Sequence, residues 1–277
     1  MIRLVILIGL TFLFMHLHAS GNISKYINME YAYVSKIAIY ILAVFTIIQF
    51  YLYIKGDGHE EEDCHCGHDH SHDNKGWNKF STQVLFLIPI FTGLFLPVAT
   101  MDSNIVDKKG FHFPVYDEQD EYSQTQFLQP DTSLYYDKEA YLNMIDKSLK
   151  GLDKKKELQL KDDNYLTDLE TIYYYPGEFT GKKVTLTGFS YHSDDLAKNQ
   201  SFLFRFGIIH CVADSGAFGM LIDWPKEAKP ANDEWFTVTG ELETVYYQPF
   251  KKTIPLLKVT SYEKTSEPDD PYVYRQY

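Results

Sequence analysis

The run from Tyr33 to Ile54, YVSKIAIYILAVFTIIQFYLYI, limits what this chain can fold into more than any other stretch, because an apolar helix of that length has few places to go. Its ~22 residues, at about 1.5 Å of rise each, cover roughly 33 Å, the thickness of a bilayer core. Tyr31, Tyr33, Tyr51 and Tyr53 stand at its ends, where amphipathic rings sit at a membrane–water boundary. The stretch reads as a membrane span. Two neighbouring runs share its character. Residues 2–18, a predicted span, are apolar apart from Arg3, Thr11, His16 and His18. Cleavage after Ser20 would put His18 at the minus-three position, which favours a retained span with Arg3 snorkelling at its start over a signal peptide. His16 and His18 face different ways on a helix and read as interfacial histidines. Residues 80–100, FSTQVLFLIPIFTGLFLPVAT, form the third predicted span, in which Pro89, Gly93 and Pro97 are tolerated if neighbours re-satisfy the backbone.

Residues 55–78 connect the second and third spans. From Gly58 to Asp73 the connection reads GHEEEDCHCGHDHSHD, with five histidines, two cysteines and six carboxylates. His59, Cys64, His65, Cys66, His68, His70 and His72 are candidate metal ligands, since imidazole and thiolate together suit a borderline-soft divalent ion such as Zn²⁺. More ligands are present than one tetrahedral site uses, so the pattern points to capture and buffering of Zn²⁺ rather than one rigid centre. A solvated acidic linker is the plainer reading. As a flexible chain of ~24 residues it would have a root-mean-square reach of roughly 27 Å. The only other cysteine is Cys211, so no disulfide framework is indicated.

Three spans put the loop and everything after Met101 on opposite sides of the membrane. Lysine and arginine counts tie between the two orientations. A very short tail before the first span favours the N-terminus inside, with the loop cytoplasmic and the C-terminal domain outside.

Beyond Met101 the chain changes to mixed, Tyr-rich and acidic. A net charge of −12 argues against nonspecific nucleic-acid binding, which needs Lys and Arg against phosphates. Residues 101–136 lack periodicity and read as a linker to a domain at 137–277. Tyr141, Leu142, Ile145 and Leu149 predict a helix over 138–149, with Asp137 as its N-cap and Gly151 as its stop. The charge run from Lys154 to Asp163 reads as solvated. Leu166, Leu169, Ile172 and Tyr173 resume helical spacing until Pro176. From Gly181 the period becomes two, and five strands are predicted, starting at Val184, Phe202, Phe218, Trp235 and Ile254. The expected class is α+β: three transmembrane helices, then a small all-β barrel of the OB type with one or two helices before it. An SH3-like barrel or a small sandwich would fit the same strands.

Ligand types cluster once more, at His210, Cys211 and Asp214, a second candidate metal site. In a regular strand His210 and Cys211 point to opposite faces, so they share an ion only where the strand ends or bulges; the alternative is a small buried cysteine beside an ordinary histidine. No nucleophile–base motif, phosphate loop or HExxH stands in the chain, so an enzyme is not expected.

The segments SGNISKYIN, LPVATMDSNIVDKKG, FTGKKVTLTGFSY, RFGIIHCVADSGAFGMLID, EWFTVTGELE and DDPYVYRQY, in this order, resemble the YcgQ-like family of permease-associated membrane proteins, which carry an uncharacterised C-terminal domain and are encoded beside a multi-spanning permease. That family shows two adjacent cysteines where this chain has His210 and Cys211. The resemblance implies a multi-pass cell-membrane protein, in contact with lipid, that acts as accessory subunit to such a permease. With the loop, the expectation is a subunit linked to divalent metal, chiefly zinc, transport or homeostasis. The competing expectation is a membrane-anchored binding or sensing module whose barrel recognises an envelope partner or ligand.

Overall fold

The computed structural model describes residues 2–56, 75–98, 100–109, 138–193, 195–228 and 230–276. The chain divides into two compact units, Met1–Ala99 and Thr100–Tyr277.

The first unit is helical: α1 (Ile2–Ala19), α2 (Ala32–Lys55) and α3 (Lys75–Phe95). A tight turn joins α1 to α2, with Ile23 buried in it and the Asn28 side chain accepting from the Glu30 N–H at 3.1 Å. Both α1 and α2 are long and apolar enough to cross a membrane, whereas the apolar part of α3, Ser81–Phe95, is shorter. The helix predicted over 80–100 stops at Phe95, because Pro97 disfavours helical geometry in the residue before it. Pro89 sits inside α3, and the Thr92 hydroxyl donates to the Ile88 carbonyl at 3.0 Å beside it. Gly93 lets α1 approach closely, since a Cβ there would stand 2.8 Å from Leu13 Cδ1.

The second unit is a mixed α+β domain. Its elements are α4 (Ser103–Lys109), α5 (Lys138–Leu152), β1 (Glu157–Leu160), α6 (Tyr165–Tyr174) and α7 (Pro176–Phe179). They continue with β2 (Lys183–Tyr191), β3 (Gln200–Ile208), β4 (Gly216–Asp223), β5 (Trp235–Tyr247), β6 (Lys252–Thr265) and β7 (Tyr272–Tyr274). The sheet runs β1-β2-β5-β6-β4-β3-β7, and β2 also pairs with β3. Strands β2, β5, β6, β4 and β3 therefore form a closed circuit of pairing. All its steps are antiparallel except β4–β6, where Leu221–Asp223 run parallel to Leu256–Lys258. Closure forces β2 hard against β3: a Cβ on Gly188 would lie 2.5 Å from the Phe204 carbonyl oxygen.

The five predicted strands are β2 to β6, but two short strands extend the circuit. The Lys154–Asp163 run, read from sequence as solvated, holds β1, parallel to β2, with Leu158 and Leu160 buried between exposed Glu157 and Gln159. At the other edge β7 runs parallel to β3 from Phe206↔Tyr272 to Ile208↔Tyr274. The predicted linker also differs at its start. Residues 103–109 form α4, Val106 belongs to the core, and the Ser103 N–H and hydroxyl donate to Asp233 at 2.8 and 2.6 Å. Helix α5 carries through Gly151 to Leu152 instead of stopping there. Helix α6 lies on the sheet, its Tyr173 hydroxyl donating to the Gly219 carbonyl at 2.8 Å and Tyr165 to that of Phe218 at 3.4 Å.

Candidate functional site

Of the candidate ligands, His59, Cys64, His65, Cys66, His68, His70 and His72 lie outside the described residues. The other three come together. Strand β3 ends at Ile208, the condition under which neighbouring side chains can converge, and the chain turns through a 3-10 segment, Val212–Asp214. The Asp214 carboxylate folds back over this turn. Its Oδ1 accepts from the Cys211 N–H at 3.0 Å and the His210 N–H at 3.1 Å, while Oδ2 lies 2.8 Å from His210 Nδ1. The Asp214 N–H in turn donates to the Cys211 side chain, completing a reciprocal cap. The cluster is thus a hydrogen-bonded turn in which the acid holds two backbone donors and orients the imidazole. His210 is partly exposed and Cys211 is a free thiol of intermediate exposure. Among the described residues, no three His, Cys, Asp or Glu side chains are grouped so as to hold a metal ion.

This turn sits where the chain enters the unit. The Ser215 hydroxyl is 3.2 Å from Met101 Sδ, and the Met101 N–H donates to the Tyr272 hydroxyl at 3.1 Å. Met101 is therefore tied both to the His210–Ser215 turn and to β7.

Arg205 is the one charge in the largely apolar strand β3, and the structure gives it a use. Arg205 is 2% exposed. Its guanidinium donates to the carbonyls of Pro271 at 2.9 Å, Tyr272 at 3.1 Å and Asp270 at 3.3 Å, and pairs with Asp162 at 3.0 Å. The group also lies over the Trp235 ring, 5.4 Å from its centroid. A second arginine, missed from sequence, completes the strap: Arg275 pairs with Glu170 of α6, both fully buried. The signal for Arg205 was one charge inside an otherwise apolar strand. Arg275 gave none, because its partner is distant in sequence and Glu170 belongs to an apparently ordinary helix.

Burial also shapes the acids and phenols around α6. Asp168, facing Ser148 and Asn164, has its pKa pushed up to about 6, chiefly by desolvation, with Lys155 working against it. Burial holds the Tyr173 phenol well above its ordinary range. The hydrogen bond to Asp146 raises Tyr175 to about 12. Along β1 and β2 an open groove of about 450 Å³ is lined by Gln159, Lys161, Asp162, Thr185 and Thr187. Behind it the Thr185–Thr239 and Thr187–Thr237 hydroxyl pairs are each 2.8 Å apart.

Long apolar helices followed by a closed strand circuit with a capped turn and a buried arginine strap define a membrane-associated protein carrying a mixed-sheet domain. Residues 2–112 match the DUF1980 N-terminal domain, and residues 135–275 match the DUF1980 C-terminal domain. The chain belongs to this family. It is 49% identical over 283 residues to the UPF0703 protein YcgQ of Bacillus subtilis (strain 168), covering 99% of each chain. It is 36% identical over 281 residues, again 99% of each, to a Streptococcus mutans protein named "Putative two-component membrane permease complex subunit".

Proposed function

We propose that this chain is the accessory subunit of a membrane permease and that its His/Cys-rich loop captures divalent metal, zinc first, for a multi-spanning partner. The name of the S. mutans relative supports the permease role across the whole length of the chain. The metal link rests on the density of imidazole and thiolate between Gly58 and Asp73. In this reading α1, α2 and α3 all span the bilayer, Pro89 and Gly93 serving helix packing. The N-terminus and the C-terminal unit then lie on opposite sides, with the loop cytoplasmic.

We read the closed circuit β2-β5-β6-β4-β3, with its single parallel step between β4 and β6, as a barrel of the OB type, a reading that this strand order supports. Strand β3 is buried along almost all its length, with β7 on its edge, so we assign this barrel to holding the assembly rather than to taking a ligand on that face. Captured ions at the loop would be held near the partner's entrance at high effective concentration.

The test is metal content. Full-length protein purified from zinc-supplied cells, with and without residues 58–73, is measured by inductively coupled plasma mass spectrometry. The intact chain should carry zinc that the deletion loses, while both still co-purify with the permease. Equal metal in both would remove the zinc link and leave the permease reading in place.

A further inference from the structure

The face of α2 that turns away from α1 carries an ammonium and a phenol hydroxyl within its apolar run. Ala32 and Ser35 are buried, His18 Nε2 lies 2.8 Å from the Ser35 hydroxyl, and the Thr11 and Thr46 hydroxyls are 3.5 Å apart. These contacts mark the α1-facing side. On the far side Tyr33, Tyr40 and Ile47 recur at seven-residue intervals, 60%, 73% and 67% exposed. Beside them stands Lys36, exposed and, after α2 begins, its only charge before Lys55. Tyr33, Lys36 and Tyr40 form one continuous surface, because residues three and four apart are neighbours on a helix. Among the described residues neither Lys36 nor the Tyr40 hydroxyl has an ion-pair or hydrogen-bond partner.

Lipid alone suits the aliphatic part of this stripe but not its donors. The stem of Lys36 can snorkel toward the N-terminal boundary. The Tyr40 ring starts roughly 10 Å further in than Tyr33 along the helix, where no water satisfies its hydroxyl. The phenol oxygen can accept from the ammonium, but the positive charge and the phenol O–H still face the same surface, and a carboxylate opposite them answers both. We infer that this face of α2 docks a transmembrane helix of another chain, one that carries an Asp or Glu level with Lys36 and Tyr40. A parallel second copy of this chain is the wrong occupant, since it would set Lys36 against Lys36. Seven-residue recurrence of the exposed positions matches the left-handed crossing by which membrane helices pack. The inference rests on the reading of α2 as a membrane span within a permease complex and adds the surface at which the complex forms.

The full chain is co-expressed with its permease with p-benzoylphenylalanine at Ile47, and native membranes are irradiated. The expected product is a covalent adduct to the permease, lost by roughly tenfold or more in Lys36→Glu, reduced in Lys36→Met and Tyr40→Phe, and kept in Lys36→Arg. Labelling of Tyr40→Cys by a membrane-impermeant maleimide reports separately on insertion. If that cysteine is protected while the Ile47 adducts go only to lipid or to a second copy, the docking face is wrong and the span stands. If it is labelled, the span reading falls and the docking face falls with it.

Discussion

The two units spend their apolar residues in opposite ways. In the first, the large side chains of α2 and α3 point outward, and few residues are buried. In the second, among the described residues, only Val212, Tyr246 and Tyr262 are exposed large hydrophobics. A unit of that second kind meets water and closes its own core, whereas the first needs an apolar surrounding to cover it. Polar groups follow the same division. The second unit buries whole charges but pairs them with fixed partners, as at Arg205 and Arg275. Among the described residues of the first, the buried polar side chains carry no charge: Asn28 in the turn before α2, and Ser35 against His18.

That contrast breaks most visibly at the arginine strap. Glu170→Ala should leave Arg275 charged and buried, destabilising the second unit by about 3–5 kcal/mol, read from denaturant unfolding followed by Trp fluorescence. The double change Glu170→Leu with Arg275→Met should recover most of that loss. Arg205→Met should cost about 1–3 kcal/mol by stranding the carbonyls of residues 270–272, and should free β7 to amide exchange before the rest of the sheet.

A smaller effect sharpens the comparison through pH. Asp168 has a folded-state pKa of about 6 against an unfolded value near 3.8, so the folded chain binds its proton more tightly. Its contribution to stability is therefore greatest below the unfolded value and is lost as pH rises from about 4 to about 6. Asp168→Asn should flatten this dependence and raise Tm at pH 7.5 by about 2–4 °C, checked by thermal scans across pH. The smallest change belongs to the first unit. Ser35→Ala removes the contact to His18 and should cost only about 0.6 kcal/mol, measured by unfolding in detergent.

What was legible in the sequence followed the strength of local periodicity. The period-two runs at Val184, Phe202, Phe218, Trp235 and Ile254 became β2 to β6, because alternation reports a half-buried strand without knowledge of its partner. Strand β1 was hidden in charges: ELQL alternates for four residues only, between lysines, and becomes a strand through pairing with β2. Strand β7, three residues long, depends on β3 some sixty-six positions away, a pairing that no local pattern carries. At the turn, convergence of His210, Cys211 and Asp214 was conditional on the strand ending, and it does end at Ile208. Their use as a cap was not legible, because it depends on where the Asp214 carboxylate folds. The first unit was read from length and hydropathy, which speak to membrane insertion but not to which helix face meets a neighbour.

The account rests most heavily on the claim that the outward-facing first unit is covered by another membrane protein. Native mass spectrometry of the full-length chain, released from its own membranes in a mild detergent with the permease present at its natural level, tests this directly. The account predicts a particle containing this chain and one multi-spanning permease. A particle made of this chain alone would contradict it.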